Sequence, residues 1–438
     1  MSLSNVKHQP RAQSVIRRAI AGGRIPHAYI FHGPDGVGKE SFARSLAQLL
    51  LCANARTSET AGTSTRAGED DVVPSTYEPQ APANDLFPNE PDSRSPQTEP
   101  RPSGSGLSSN DPISPCGRCD DCRMIAADTH PDWHLVYRQL NRVHPDPEVR
   151  RRKGLDIGVD VLRHFVIDKV GFTPSRGRAK VFVVREADRI TTQAQNALLK
   201  TLEEPPGTTY LVLLVTSIDR LLPTTLSRCQ VVEFDPLPGE FVRERLRAAF
   251  PNLAAPQLPW CAWFADGSIG AGIQAVEEHL FDVYARVRGT LLPQSGTTVS
   301  GAGASHRALL MAYRSRCLKA WSDEAEALGE LYRKRDPDIS DTEATRRGWK
   351  TVFRLLAETY ANLLRLASER ESKNPSAQSV NAAAAQANGA DPEPVADAIQ
   401  RIALAERHLD LNANTQLVVE TLANDLARIQ TSDPIVAE

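Results

Sequence analysis

The chain has 438 residues, with 51 Lys and Arg against 54 Asp and Glu and a formal net charge of −3. That length holds roughly two to four domains, each with its own core, and the charge balance excludes a whole-molecule electrostatic case for nucleic-acid binding, so any DNA contact must come from a local patch. Seven cysteines do not make a secreted disulfide framework in a chain this size; with no apolar run able to span a membrane and no signal-peptide core in Met1–Pro10, the cytoplasm is the expected location.

The first informative stretch is Ala28-Tyr29-Ile30-Phe31, an apolar run that reads as a buried strand. Gly33-Pro34-Asp35-Gly36-Val37-Gly38-Lys39 follows it and opens a helix-forming segment, Glu40 to Leu51. Strand, glycine loop and helix are what a phosphate-binding loop needs: Gly33, Gly36 and Gly38 let backbone N–H groups close on an anion, Lys39 reaches it, and the helix N-terminus attracts it. The motif then asks for a Ser or Thr hydroxyl to hold Mg²⁺, and Glu40 stands there instead. Ser41 points about 100° away along the helix and does not substitute. A carboxylate about 4 Å from a bound phosphate costs on the order of 4 kcal/mol at intermediate dielectric, so Glu40 is expected to weaken ATP and Mg²⁺ binding, with its own carboxylate a candidate for the anion site. The alternative is that Glu40 turns to solvent and MgATP still binds.

Residues 53–115 are rich in Ser, Thr, Pro, Asp and Glu and bury too little apolar surface to fold, so a disordered insert is expected there. Cys116-x-x-Cys119-x-x-Cys122 follows directly. Short Cys-x-x-Cys turns bring both sulfurs to one tetrahedral Zn²⁺. Cys52, at the end of the loop's helix, is the expected fourth ligand, because loop-closure entropy grows only slowly with insert length; His130 is the alternative.

Val181–Val184 reads as a second buried strand, ending in Arg185-Glu186-Ala187-Asp188. Nucleotide-hydrolysing P-loop proteins put acids at this place, one for Mg²⁺ and one for the attacking water. Arg185 takes the first position and Glu186 the second; Asp188, past the strand end, is expected to be a helix-start acid rather than a replacement for the lost one. Glu40 and Arg185 read as two independent losses of metal chemistry. A third strand, Leu211–Val215, leads to Thr216-Ser217, placed to reach a γ-phosphate. Arg228, in Ser227-Arg228-Cys229, caps a turn, pairs with Glu233 or acts as an arginine finger; spacing alone leaves these open.

After residue 236 the strand signals stop. Glu240–Phe250 and Gly272–Arg286 read as helices, and a Gly/Ser-rich link, Pro293–Ser305, precedes a helical remainder with a second flexible insert at 372–395. Thr415, Val418, Leu422, Leu426 and Ile429 form an apolar stripe for helix packing. Cys261 and Cys317 sit in apolar helical contexts and are expected in the core. The expected architecture is an α/β P-loop core with a parallel sheet and zinc module (1–235), a small helical domain (236–290) and an all-α domain (306–438).

Pro26-His27-Ala28-Tyr29, Asn196-Ala197-Leu198-Leu199-Lys200-Thr201-Leu202-Glu203-Glu204-Pro205-Pro206 and Leu222-Pro223-Thr224-Thr225-Leu226-Ser227-Arg228-Cys229, with the cysteine triplet and His130-Pro131-Asp132, resemble bacterial clamp-loader subunits of the AAA+ class. The resemblance covers roughly residues 5–52 and 116–285. Its gamma/tau subunits are ATP-hydrolysing motors; its delta-prime subunit of DNA polymerase III keeps the fold and the Ser-Arg-Cys motif with little or no hydrolysis. The chain is similar to the delta-prime type at Glu40, at Arg185 and at Gly267-Ser268-Ile269-Gly270, where the motors carry a nucleotide-sensing arginine in place of Gly270. The resemblance implies a hetero-pentameric ring with gamma/tau and delta subunits that loads a sliding clamp on primed DNA, with Arg228 completing a neighbour's ATP site and the last helices forming a collar. The alternatives are an active gamma/tau-type ATPase, which hydrolysis by the isolated chain would reveal, and a stand-alone zinc-bearing regulator, which failure to assemble would reveal.

Overall fold

The computed structural model describes residues 3, 6–55, 114–152, 154–176, 178–291, 306–371, 392–411 and 413–432. Both expected inserts, apart from their ends, and the Gly/Ser-rich link lie outside these residues. In chain order the elements are α1 (Pro10–Ala21), β1 (Ala28–His32), α2 (Lys39–Leu51), α3 (Asp120–Ala126), β2 (Trp133–Val136), α4 (Pro147–Arg151), α5 (Val159–Leu162), α6 (Asp168–Val170), β3 (Lys180–Val184), α7 (Thr192–Glu203), β4 (Thr209–Val215), α8 (Pro223–Leu226), β5 (Gln230–Glu233), α9 (Gly239–Ala249), α10 (Gln257–Phe264), α11 (Ile269–Glu277), α12 (Leu280–Leu291), α13 (His306–Arg335), α14 (Asp341–Glu371), α15 (Pro392–Asp410) and α16 (Thr415–Ser432).

The five strands form one parallel sheet in the order β2-β3-β4-β1-β5. Strands buried on both faces read as continuous apolar runs, and alternate residues serve two cores. Tyr29, Phe31, Val181, Val183 and Val212 face one layer; Ala28, Ile30, Phe182, Val184 and Leu213 face the other. The register sets His32 beside Val215 and Val184 beside Leu213. The loops after β1, β3 and β4 therefore open at one edge of the sheet, the carboxyl edge where α/β sheets place their ligands. Phe31, Phe42 and Phe234 meet edge-on or tilted, with centroids 5.2–5.6 Å apart, and fix α2 against the sheet.

Beyond β5 the described chain is helical. The helix expected over Gly272–Arg286 is two helices, α11 and α12, broken at Glu278 and His279. His279 has φ 53°, and Glu278 is buried because it pairs with Arg335 at 2.7 Å and accepts the Tyr332 hydroxyl at 3.2 Å. Tertiary pairing overrides local helical periodicity here. Helices α13 to α16 pack as a closed set, α13 on α14 and α16, α15 on α14 and α16. Val418, Leu422 and Leu426 of the expected stripe are buried and Ile429 packs against the same core, while Thr415 is half-buried. Cys261 and Cys317 are in the core as expected.

The α13–α14 crossing depends on Gly348. A Cβ there would fall onto the Ala325 carbonyl, so Gly348→Ala is expected to destabilise the chain by about 1–3 kcal/mol, the usual cost of overpacking. Denaturant unfolding checks this, and an unchanged midpoint would mean the helices slide apart freely.

Candidate functional site

Two clusters stand out, one at the carboxyl edge of the sheet and one at the far end of α2. The first is a cleft of about 810 Å³ lined by Asp35, Gly36, Gly38, Lys39, Glu40, Ser41, Arg185, Glu186, Asp188, Arg189, Thr216, Ser217 and Arg220, with Leu214. All three loop glycines have positive φ. The requirement is sharpest at Gly36, φ 75°, where a Cβ would run into the backbone of Gly270 at the start of α11. Gly270 is in turn bare on its facing side: a Cβ there would stand 2.9 Å from Gly36 Cα. Ser268 clamps the contact, its hydroxyl donating to the Asp35 carbonyl at 2.5 Å and accepting the Ala271 N–H at 2.9 Å. The tip of the loop is thus held against the first turn of α11.

Lys39 is 6% exposed and folds back on its own loop. Its ammonium donates to the carbonyls of Gly33 and of Pro34, the latter at 2.8 Å, and stands 3.5 Å from Asp35 Oδ1. Burial pushes the Lys39 ammonium below its ordinary value, with Asp35 and Asp188 pulling the other way. A lysine solvated by its own loop carbonyls has a partner it must leave before it reaches a phosphate.

Glu40 takes neither expected course: it does not fill the anion site or point freely into solvent. Arg185 donates to it twice, Nε to Oε2 at 2.6 Å and NH2 to Oε1 at 2.5 Å, and Arg44 approaches at 3.4 Å. The Arg185 guanidinium also lies over the Tyr137 ring, 5.9 Å from its centroid. A bidentate Arg–carboxylate pair is the strongest common ion-pair geometry, although at this exposure it contributes no more than about 1 kcal/mol to stability. The two departures from metal chemistry are therefore one coupled feature, and the expectation that they are independent is corrected. The carboxylate is spent on a guanidinium, and a cation already occupies the strand end where a metal-binding acid would stand.

Glu186, at φ 47°, accepts from Arg138 Nε at 2.9 Å. Thr216 donates to Asp188 at 2.9 Å. Asp188 lies in the middle of a short 3₁₀ turn, Ala187–Arg189, and also lines the cleft. Its cue was the register of β3 and β4, which no local pattern in Val183–Asp188 reveals.

Arg228 lies outside the cleft. Its Nε and NH2 both donate to Glu203 Oε1, at 2.8 and 2.5 Å, and NH1 donates to the Thr224 carbonyl at 2.9 Å. Glu233, the partner considered from sequence, pairs instead with Arg11 at 2.9 Å. The end of α7 and the start of α8 thus hold the guanidinium plane in one orientation.

The second cluster joins Cys52, Cys116, Cys119 and Cys122, whose sulfurs all lie within 4.8 Å of one another. Zinc–sulfur bonds of about 2.3 Å in a tetrahedron require sulfurs about 3.8 Å apart, and Cys52 and Cys119 are 3.8 Å apart. The Cys116 N–H donates to Cys52 Sγ and the Cys119 N–H to Cys116 Sγ, each at 3.3 Å, the kind of outer support that orients ligands. Burial opposes ionisation of Cys116, but N–H groups of Arg118 and Cys119 and the neighbouring thiols bring it down to about 6; burial pushes Cys52 and Cys122 up. Four convergent thiols with N–H support fit a tetrahedral soft-metal ion. His130 is not in this group: Nδ1 accepts the Asp132 N–H at 3.0 Å and Nε2 stands 3.5 Å from Asp121. Asp132 accepts from the Ser175 and Arg176 N–H groups at 2.7 and 2.9 Å, so His130-Pro131-Asp132 ties the cysteine module to the turn before β3.

The chain is similar to known proteins over the sheet and the cysteine module. The family described as "DNA polymerase III, delta subunit" matches residues 8–69 and 105–238. DNA polymerase III subunit delta' of Pseudomonas aeruginosa is 31% identical over 56% of this chain and 55% of its own length. Subunit tau of Escherichia coli is 29% identical over 56% of this chain and 27% of its own. The chain spans about half the length of the delta' relatives from Pseudomonas aeruginosa and Bacillus subtilis. The structure of a DNA polymerase III gamma subunit-related protein from Thermotoga maritima aligns over 70% of this chain and 89% of its own at 19% identity, with a TM-score of 0.32. Among the described residues no helix is long and apolar enough to cross a membrane. Across the phosphate-loop sheet and the cysteine module inserted after the loop's helix, the chain is similar to the delta' and tau subunits of DNA polymerase III.

Proposed function

We propose that the chain is a largely non-hydrolysing, delta-prime-like subunit of a cytoplasmic clamp loader. In this reading it assembles with gamma/tau and delta subunits and supplies Arg228 in trans to a neighbour's ATP while a sliding clamp is placed on primed DNA. The observation that carries the reading is the Glu40–Arg185 pair, which fills both metal-handling positions with groups that satisfy each other. Retraction of Lys39 and the Gly36–Gly270 contact support it. Arg228 suits a finger because same-chain partners fix its plane, and a pre-oriented guanidinium loses little freedom on meeting phosphate. Cys52, Cys116, Cys119 and Cys122 would hold one structural Zn²⁺ that cross-links α2 to α3 and does no chemistry.

Isothermal titration of the full chain with MgATP tests the first half. No binding is expected up to millimolar nucleotide, and hydrolysis by the isolated chain stays at background. Micromolar affinity would overturn the reading of Glu40 as weakening nucleotide binding, and turnover abolished by Lys39→Ala would instead establish a motor.

A further inference from the structure

Arg138, just after β2, is 7% exposed and does not itself line the cleft. Each nitrogen of its guanidinium has an acceptor on a different part of the chain. Nε donates to Glu186 Oε2 at 2.9 Å, NH1 to the Gly154 carbonyl at 2.8 Å, and NH2 to Asp336 Oδ2 at 2.5 Å. Asp336 begins the short connection between α13 and α14, its N–H still bonded to the Tyr332 carbonyl at 2.9 Å. Two residues on, Asp338 takes Arg142 at 2.8 Å, and both acids are 14% exposed. Gly154 makes room for the tip: a Cβ there would stand 3.1 Å from Asp338 Oδ2.

Stability does not account for this junction. Removing charges from water is costly, and an apolar contact of similar volume often stabilises as well. What a fully bonded buried guanidinium does is fix the relative positions of its partners. Here the partners are the acid at the end of β3 and the tip of a helical hairpin, 150 positions apart in sequence (186 to 336).

We infer that the α13–α14 tip is an ion-pair latch on the phosphate-loop cleft, in which Asp336, acting through Arg138, holds Glu186 in place and transmits displacement of the helical bundle to the end of β3. Arg138 and Asp336 are positioning residues in this scheme. It rests on reading the cleft as a nucleotide site, retained or vestigial, and on nothing about Arg228.

Amide hydrogen exchange on the full chain tests the latch without nucleotide, so its outcome is independent of whether ATP binds. Asp336→Asn is expected to speed exchange across residues 185–190, whose Arg189 N–H bonds the Glu186 carbonyl at 2.8 Å, by about tenfold, within the usual range of coupling between sites. Glu186→Gln, at the more exposed end, is expected to speed exchange across 336–340, and carries the test alone if Asp336→Asn does not fold. The double variant exchanges no faster in either segment than the faster single one. Far segments within twofold of the parent, or effects that multiply in the double variant, would overturn the latch.

Discussion

In a reconstituted loader, Arg228→Ala is expected to lower clamp- and DNA-stimulated ATP hydrolysis at the adjoining site by at least about a hundredfold. Fingers elsewhere contribute about 10³–10⁵ in rate, or roughly 4–7 kcal/mol of barrier. The guanidinium neutralises charge that spreads over the transferring phosphoryl oxygens, a demand that a lysine point charge meets poorly, so Arg228→Lys recovers little. Folding is not at risk, since Arg228 is one-third exposed and the groups its loss releases, the half-exposed Glu203 and the Thr224 carbonyl, are at the surface. An unchanged rate with assembly intact would make Arg228 a brace between α7 and α8 and remove the trans mechanism.

The second large effect is expected at the cysteine cluster. Cys52→Ser replaces a thiolate that α2 delivers from the opposite side of the insert to the other three ligands. The purified chain is expected to fall from about one zinc to a small fraction, measured by elemental analysis, and to lose on the order of 4 kcal/mol, as when a metal site is removed. For a unit of this size that lowers the unfolding midpoint by roughly 10 °C. Cys261→Ser, a core thiol outside the cluster, leaves zinc content unchanged. Full zinc retention by Cys52→Ser would mean that a different fourth ligand completes the site.

The parallel sheet is legible in the sequence because β1, β3 and β4 are buried on both faces and cannot afford alternation. β2 is harder to read: Trp133-His134-Leu135-Val136 is short, and its His134 is accommodated by stacking on Phe182 at 4.5 Å, a partner known only once β2 and β3 are paired. The glycine loop and the cysteine triplet are compact motifs whose residues are neighbours in sequence. The pairing of Glu40 with Arg185 is not legible, since 145 positions separate them; each looks like a separate defect until the β1–β4–β3 order brings the strand ends together. Asp188 and the Arg138–Asp336 contact fail to show for the same reason, the latter across 198 positions. Single positions announce chemistry, but which charges neutralise each other is decided by topology.

The bond from the Cys116 N–H to Cys52 Sγ has a consequence for how this lineage can vary. A backbone N–H and a side-chain sulfur 64 positions apart are held at hydrogen-bond distance, so the two ends of the segment between them are tethered to each other. Doubling a segment tethered this way costs only about 0.6 kcal/mol in closure entropy. Added length between residues 55 and 114 is therefore expected to cost little folding stability, and the tethered ends make this a place where a foreign domain could be spliced in between the P-loop core and the cysteine module.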